Sequence, residues 1–154
     1  LPSYEPSDET IDKCVQQLVE PPTDTSDNPR IPAGFTYLGQ FLDHDLTFDP
    51  VSSLERQNDP EGLHNFRTPR LDLDCVYGLG RDDQPYLYSK LDPAKLLIGT
   101  GENAEEEDLP RNLEDVALIG DPRNDENIIV SQLHLAFVKL HNALVDDIRA
   151  GKLS

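Results

Sequence analysis

The side chains best suited to chemistry lie between Gln40 and Asp45, where one histidine stands between two carboxylates. Each residue of an α-helix advances by about 100°, so Gln40, Asp43 and His44 would share one face, and the next residue points well away from them. One helix could therefore present a histidine, an amide and a carboxylate to one site, and the carboxylate of Asp45 to another. The simpler interpretation of this Asp-His-Asp run is an ordinary capped and solvated helix end.

The residues around this run weigh against the simpler interpretation. The segment is largely apolar, with Phe41, Leu42, Leu46 and Phe48 on either side of the polar residues. Polar side chains within an apolar helix are costly unless they have partners. We therefore predict a helix from Ala33 to His44 whose polar groups have partners elsewhere in the protein.

A second candidate site lies in the stretch that begins at Thr68, where oxygen-bearing side chains recur at every second position. Pro69 disfavours a helix here, and in an extended loop alternate residues point to the same side. Thr68, Asp72 and Asp74 would then converge. The backbone carbonyl of Arg70 would join them. Calcium takes roughly six to eight such oxygen ligands, so the spacing fits a cation site and a polar edge strand equally well.

Arg123 and Glu126 precede the longest predicted helix, which runs from Ile128 to Arg149. A carboxylate at Glu126 suits the positive end of that helix. Taken alone, the two residues are most simply an ion pair at a helix start. Apolar residues at helical spacing predict that the helix buries a broad stripe, made up of Ile129, Leu133, Ala136, Phe137, Leu140, Leu144 and Ile148.

An earlier helix is predicted from Asp8 to Val19, where apolar residues follow helical spacing and Ser7 is a suitable N-cap. We interpret it as a docking helix. Loops or irregular segments are predicted over Glu20–Pro32 and Asp49–Asn65, and residues 80–109 are also loop-like.

Composition limits the classes of function. The chain has 154 residues, with 13 basic and 30 acidic side chains and a formal net charge of −17. Such acidity argues against binding to nucleic acid or to an anionic membrane surface. The hydrophobic content of 36% is lean for a self-sufficient core. We identify no apolar run long enough to span a bilayer.

The sequence contains no methionine and begins at Leu1, so we expect the chain to be excised from a longer protein. Its two cysteines, Cys14 and Cys75, would allow one disulfide, and free thiols fit the sequence equally well.

Three motifs give the sequence a family resemblance. The stretch Gly39–Phe48 resembles the distal-histidine helix of the animal-type haem peroxidases, the myeloperoxidase–cyclooxygenase superfamily. A loop that ends in Val-Tyr-Gly at Gly78 and the run Gly120–Asn127 agree with it. The resemblance covers roughly Ile31 to Ala150, and three motifs in the same order are a specific signal.

The resemblance implies a mainly α fold with long irregular loops and little or no sheet. Residues 1–154 would form a single incomplete domain, the distal half of a haem peroxidase domain. The implied function is hydrogen peroxide-dependent oxidation of small donors or halides, with haem b as the cofactor. The location is left open, with a secreted or extracytoplasmic one favoured.

The resemblance also implies roles for individual residues. His44 would move a proton, Arg123 would polarise the O–O bond of peroxide, and Gln40 would orient peroxide, water or halide. Asp43 and Glu126 match positions that can form esters with haem methyl groups. The residue after this glutamate is asparagine, so the sulfonium link known in the family cannot form here.

The resemblance favours the cation interpretation of the second site. The calcium ligands would be Asp45, Thr68, Arg70 through its carbonyl, Asp72 and Asp74. Aspartate at the last of these positions replaces the serine common in the family, and it is still an oxygen ligand.

The family's proximal histidine, which holds the haem iron, lies beyond the position of Ser154. We therefore expect a second polypeptide segment that carries it, and we expect no transmembrane segment. One competing interpretation is a haem-free, calcium-binding structural remnant of the fold. Others are a fatty-acid dioxygenase of the same superfamily and a non-haem metal site built by Asp43, His44 and Asp45. The direction of Asp45 on the helix counts against this last site.

Overall fold

The computed structural model describes residues 6–19, 30–49, 64–101 and 106–153. Within these ranges the chain is mainly helical, as the sequence predicted. The α-helices are α1 (Asp8–Val19), α2 (Gly34–Leu46), α3 (Asp74–Tyr77) and α4 (Ile128–Arg149), and two 3-10 helices span Pro85–Leu87 and Pro122–Asp125. The strands β1 (Gly99–Thr100) and β2 (Glu107–Asp108) pair antiparallel and form the only sheet in these ranges.

The chain divides into two compact units, Leu1–Pro32 and Ala33–Ser154. The first unit contains α1, whose bounds match the prediction. The Ser7 side chain accepts a hydrogen bond from the Thr10 N–H at 3.3 Å, which caps the start of the helix. The predicted loop Glu20–Pro32 lies outside the described residues up to position 29, as do most of Asp49–Asn65 and residues 102–105.

In the second unit, α2 begins one residue later and ends two residues later than predicted. It buries Phe41, His44 and Asp45. The ring of Phe41 stacks on Phe137 of α4, with the ring centroids 4.9 Å apart, and meets His134 edge-on at 6.5 Å. This stacking fixes α2 against α4 and is the centre of the main core.

The helix α4 has the predicted bounds, and it begins at an asparagine cap. The side chain of Asn127 accepts a hydrogen bond from the Val130 N–H at 3.0 Å, which satisfies one of the amide groups left free at a helix start. The residues buried along α4 are Val130, Ser131, His134, Leu135 and Val138.

The prediction of which face of α4 is buried was wrong. Leu133 and Phe137 are only partly buried against the core, whereas Ile129, Ala136, Leu140, Leu144 and Ile148 are exposed. The helix is apolar on more than one side, so apolar spacing alone does not choose the face. The chosen face includes the polar residues Ser131 and His134, which the apolar pattern ignores.

The stretch from Thr68 was predicted to be an extended loop, but the structure shows that it is not extended throughout. Residues 68–73 are non-helical, but α3 begins at Asp74. Leu73 adopts a left-handed backbone conformation with φ of 60°, a costly conformation for a residue with a Cβ. It turns the chain into α3 and brings the N-terminus of α3 towards the end of α2.

Gly120 allows a close approach of two backbone segments. A Cβ at this position would lie 2.6 Å from the carbonyl oxygen of Cys75 and 2.8 Å from that of Asp74. A side chain would therefore push residues 120–121 away from α3. Glycine lets Asp121 lie beside α3, where the candidate sites meet.

Both cysteines are free thiols, with Cys14 exposed and Cys75 buried. Within the described residues, α4 is the one helix that is long and apolar enough to cross a membrane by length and composition. Core helices of soluble proteins have the same length and composition. The expectation of no transmembrane segment therefore stays a prediction.

Candidate active site and cation site

A buried chain of three polar side chains joins the end of α2 to α4. Nδ1 of His44 lies 2.8 Å from Oδ1 of Asn124, and Nδ2 of the same amide lies 3.0 Å from Nδ1 of His134. The exposed fractions of the three residues are 4%, 0% and 1%. Asn124 comes from the 3-10 helix Pro122–Asp125, which passes between the two longer helices. The chain of bonds therefore fixes the orientation of His44.

The second ring nitrogen of His44 is available to a ligand. Nε2 has no hydrogen-bond partner among the residues that the structure describes, and it is not one of their buried unsatisfied polar atoms. A neutral imidazole with one nitrogen bonded and the other open can act as a base.

Burial strongly disfavours a charge on His134. It lowers the pKa of this histidine to about 4, although the negative charges of Asp121 and Asp125 partly oppose the shift. His134 is therefore neutral at physiological pH, and a neutral imidazole can accept the amide N–H of Asn124.

Asp121 is a completely buried carboxylate that holds two arginines. Its Oδ2 accepts hydrogen bonds from Nη2 of Arg67 and Nη2 of Arg123, both at 2.8 Å. Its Oδ1 accepts from the backbone N–H and Nε of Arg123 at 2.9 and 3.0 Å. Burial alone would raise the pKa of Asp121, but the bonds from both arginines outweigh burial and lower it.

Arg123 caps the C-terminal end of α2. Its Nη2 donates to the carbonyl oxygen of His44 at 3.1 Å and also to that of Thr47. His44 belongs to the last turn of α2 and Thr47 directly follows the helix, and a positive charge is favourable at this end of a helix. The guanidinium also lies 5.5 Å from the ring centroid of Phe48. Only Nη1 has no partner among the described residues, so it alone could point a donor at a ligand.

The other side of His44 carries a polar cluster at the surface. The Gln40 amide donates to Oε2 of Glu126 at 3.2 Å and accepts from Nδ2 of Asn127 at 3.3 Å. Glu126 and Asp43 are both exposed. The simpler interpretation of Arg123 and Glu126, an ion pair, is not seen among the described residues: Glu126 bonds to Gln40, and Arg123 bonds to Asp121.

Asp45 faces away from the His44 ring and towards the start of α3. Its carboxylate accepts hydrogen bonds from the backbone N–H groups of Leu73 at 3.1 Å and Cys75 at 3.3 Å. Carboxylate oxygens of Asp45, Asp72 and Asp74 all lie within 4.8 Å of one another. The structure thus brings together three carboxylates from two distant segments.

A fourth predicted calcium ligand lies beside these carboxylates. The hydroxyl of Thr68 donates to Oδ2 of Asp72 at 3.0 Å. The N–H of Arg70 donates to the carbonyl of Thr68 at 2.7 Å, so these residues form one tight turn. The donor set is all oxygen, and it combines carboxylates with a hydroxyl. Such a set suits a hard cation such as calcium.

The three carboxylates are only partly neutralised by the protein. Nη1 of Arg67 lies 3.0 Å from Oδ1 of Asp74. Burial, together with the charges of Asp45 and Asp72, still raises the pKa of Asp74, although Arg67 lowers it in part. A bound cation would remove this repulsion.

His44 offers an open ring nitrogen, Glu126 bonds to Gln40, and Asp43 is exposed, so these side chains could meet a haem. The other histidines of the core are already engaged, and His134 is buried and bonded to Asn124. Both ring nitrogens of His141 are bonded, to the Tyr77 hydroxyl at 3.1 Å and to the Ala94 carbonyl at 2.9 Å.

No protein-family model matches the chain, and neither a curated protein nor a solved structure matches it.

Sequence reasoning missed the residues that connect the two sites. Asn124 bridges two histidines, Asp121 binds two arginines, and Arg67 links Asp121 to Asp74. Each is a common polar residue with no distinctive spacing. The one available signal was the density of polar residues in Gly120–Asn127, where every residue but the glycine and the proline has a polar side chain.

Proposed function

We propose that this chain forms the distal side of a haem peroxidase and carries a calcium site behind its catalytic histidine. The observation that best supports this function is the state of His44. It is almost fully buried, one ring nitrogen is bonded to Asn124, and the other has no partner among the described residues. A positioned base with one open nitrogen is what proton transfer on peroxide requires.

The residues of the chain would divide the reaction between them. His44 takes the proton from one peroxide oxygen at Nε2 and returns it to the other. Gln40, held by Glu126 and Asn127, orients the peroxide with its amide. Arg123 contributes a permanent positive charge at the end of α2, which favours the departing oxygen as negative charge develops there. Haem, when bound, supplies the iron that is oxidised by peroxide.

Asp43 and Glu126 would hold the haem from this side. Both carboxylates are exposed, so they are free to meet a cofactor. Ester bonds to haem methyl groups would use these two residues. Acid-butanone extraction of peroxide-treated protein should then leave part of the haem attached, and complete release of the haem would rule the esters out.

The first test addresses the base in the haem-loaded protein together with the segment that completes its site. Replacing His44 with Ala should slow the reaction with peroxide by about two to four orders of magnitude, the usual scale for losing a general base. Arg123→Ala should cost a comparable factor through lost charge stabilisation, and Gln40→Ala much less. Stopped-flow mixing with peroxide measures all three.

The matched control is His64→Ala, since His64 is an exposed histidine away from these contacts. It should react at the parent rate. A His44→Ala protein that also reacted at nearly the parent rate would make His44 structural and would remove the main support for the peroxidase.

Calcium would bind at Asp45, Thr68, Arg70, Asp72 and Asp74. Because Asp45 directly follows His44, the ion would stiffen the helix end that carries the base. A ligand that binds only the folded state stabilises it by about 2.7 kcal/mol at 100 times its dissociation constant. Calcium should therefore raise the melting temperature of the chain.

Asp72→Asn is the variant for the calcium test, since Asp72 is exposed and its one side-chain hydrogen bond to a described residue is with Thr68. It should weaken the response to calcium with little change in stability without the ion. Glu107→Gln changes a surface carboxylate elsewhere and should leave the response intact. Equal melting temperatures with calcium and with a chelator would show the assignment to be wrong.

The exposed face of α4 supports the proposed second polypeptide segment. The apolar side chains Ile128, Leu140, Leu144 and Ile148 are exposed on this helix, and exposed apolar patches commonly mark sites of interaction. The segment that carries the proximal histidine would cover this face.

A haem-free, calcium-binding protein is the second candidate, because the three carboxylates are the one metal-compatible cluster among the described residues. The cluster does not include Asp43 or His44, which counts against the non-haem metal site. An absorption band of haem near the Soret region in purified protein would favour the peroxidase over this candidate.

A further inference from the structure

The amide of Asn124 has one end that only accepts hydrogen bonds and one end that only donates them. Its oxygen lies 2.8 Å from Nδ1 of His44, and its nitrogen lies 3.0 Å from Nδ1 of His134. In this arrangement His44 must carry a proton on Nδ1, because the amide oxygen can only accept. His134 must present a bare Nδ1 and carry its proton on Nε2.

The donating end of the amide lies on the side of His134. The thiol of Cys75 is neutral, because burial, together with the charge of Asp45, raises its pKa to about 12. The charged groups around the bridge are Asp45 and Arg123 next to His44, and Asp121 and Asp125 near His134.

We propose that Asn124 and His134 are positioning residues that hold His44 as the Nδ1-protonated tautomer, with the lone pair of Nε2 directed to the substrate side. This inference rests on the proposed function for its meaning, because only Nε2 is free to accept the proton of a peroxide. It goes beyond that function because Asn124 and His134, which touch no substrate, determine that Nε2 of His44 is the atom that accepts the proton.

Nitrogen NMR of the chain labelled with 15N-histidine tests the inference directly, since the shifts of the two ring nitrogens report which one carries the proton. His44 should show a protonated Nδ1 and a bare Nε2, and His134 the reverse. The four histidine spin systems are assigned by single His→Gln replacements. A His44 protonated on Nε2 in the parent chain would overturn the proposal.

His141 is an internal control in the same spectra. Its Nε2 faces the carbonyl of Ala94, which can only accept, so it should carry its proton on Nε2 in every variant. Its other nitrogen bonds to the Tyr77 hydroxyl, and no bond connects His141 to Asn124.

Two replacements at Asn124 separate positioning from simple packing. Asn124→Leu keeps the volume and removes both bonds, so the His44 shifts should move towards an average of the two tautomers. Asn124→Asp offers only acceptors, so His44 should keep its tautomer while His134 changes to the Nδ1-protonated form. Unchanged shifts in a folded Leu variant would contradict the proposal. The parent spectrum decides the matter even where a variant does not fold.

Kinetics of the haem-loaded protein give the functional consequence. Asn124→Leu should slow the reaction with peroxide by about 10- to 100-fold, the usual cost of losing a partner that orients an active-site ligand. The outcomes also separate the two proposals. If the protein binds no haem but shows the expected tautomers, the proposed peroxidase function is wrong and the positioning role of Asn124 and His134 still holds. If the protein is an active peroxidase but His44 has the opposite tautomer, only the positioning role is wrong.

Discussion

Soluble proteins usually bury apolar side chains and expose polar ones, and two regions of this chain depart from that rule in opposite ways: the end of α2 and the outer face of α4. At the end of α2, His44 and Asp45 are buried, and each has specific partners in distant segments. Along α4, Leu140 and Ile148 are exposed to solvent. Burying polar groups is costly unless they are bonded, and exposing apolar groups forgoes their contribution to stability.

The comparison separates what the chain completes by itself from what it leaves open. Most polar groups behind His44 are bonded to the chain's own residues, and the exceptions among the described residues are Nε of Arg67 and Oδ1 of Asp74, which have no hydrogen-bond partner. The outer face of α4 has no cover within the described residues, so its apolar side chains contribute little to the stability of this chain. Three predictions test this contrast.

The largest effect is expected for Asp121→Ala. This change removes a fully buried carboxylate and leaves Arg67 and Arg123 without their shared partner. Breaking a buried ion pair by removing one partner costs about 3–5 kcal/mol. Urea unfolding followed by circular dichroism measures the change in the free energy of unfolding.

The control for this prediction is Glu107→Ala, which breaks the exposed pair between Glu107 and Lys139. Exposed pairs contribute little because water and salt screen them. If the two variants lost the same free energy of unfolding, the buried network of Asp121, Arg67 and Arg123 would stabilise the chain no more than an exposed ion pair does.

The next effect concerns pH. The pKa of His134 is about 4 in the folded chain, against an ordinary value of about 6.5 for an exposed histidine, so the unfolded chain binds more protons between these values. The contribution of neutral His134 to the free energy of unfolding is therefore fully present above about pH 6.5, and it is lost as the pH falls to about 4. Integrated over this window, His134 should contribute about 3 kcal/mol of destabilisation.

Denaturant unfolding at a series of pH values checks the effect, with His134→Gln as the variant that cannot titrate. The difference in stability between parent and variant should shrink as the pH falls from 7 to 4. Parallel curves for the two proteins over this range would show that His134 is not a buried neutral histidine.

The smallest effect is expected on the outer face of α4. Ile148→Gln should change the free energy of unfolding of this chain by no more than about 0.5 kcal/mol, the usual range for surface changes. Val138→Ala, on the buried face, should cost about 2 kcal/mol because it removes two buried methyl groups. Thermal unfolding of both variants makes the comparison.

The contrast would be sharpened by repeating Ile148→Gln in the protein that contains the proposed second segment. There the same change should weaken the association measurably. A large loss of stability in the isolated chain would instead mean that α4 is already covered on this face.

The sequence by itself determined where the main helices lie. The bounds of α1 and α4 were predicted because caps and helical spacing are local properties, set by Ser7 at one helix and by the polar run before Ile128 at the other. It also placed His44 and Asp45 on different sides of α2, since the rotation per residue is fixed by helix geometry. The approach of Asp72 and Asp74 to one another was expected from an extended loop, whereas in the structure Leu73 is left-handed and Asp74 begins α3.

Tertiary structure alone decided which face of α4 is buried and which groups hold the catalytic candidate in place. The apolar pattern of α4 continues around the helix, and the buried face is the one where His134 bonds to Asn124 and packs against Phe41. Asn124 lies 80 residues from His44 along the chain. No local pattern records such a contact, because its energy depends on three segments meeting in a space from which water is excluded.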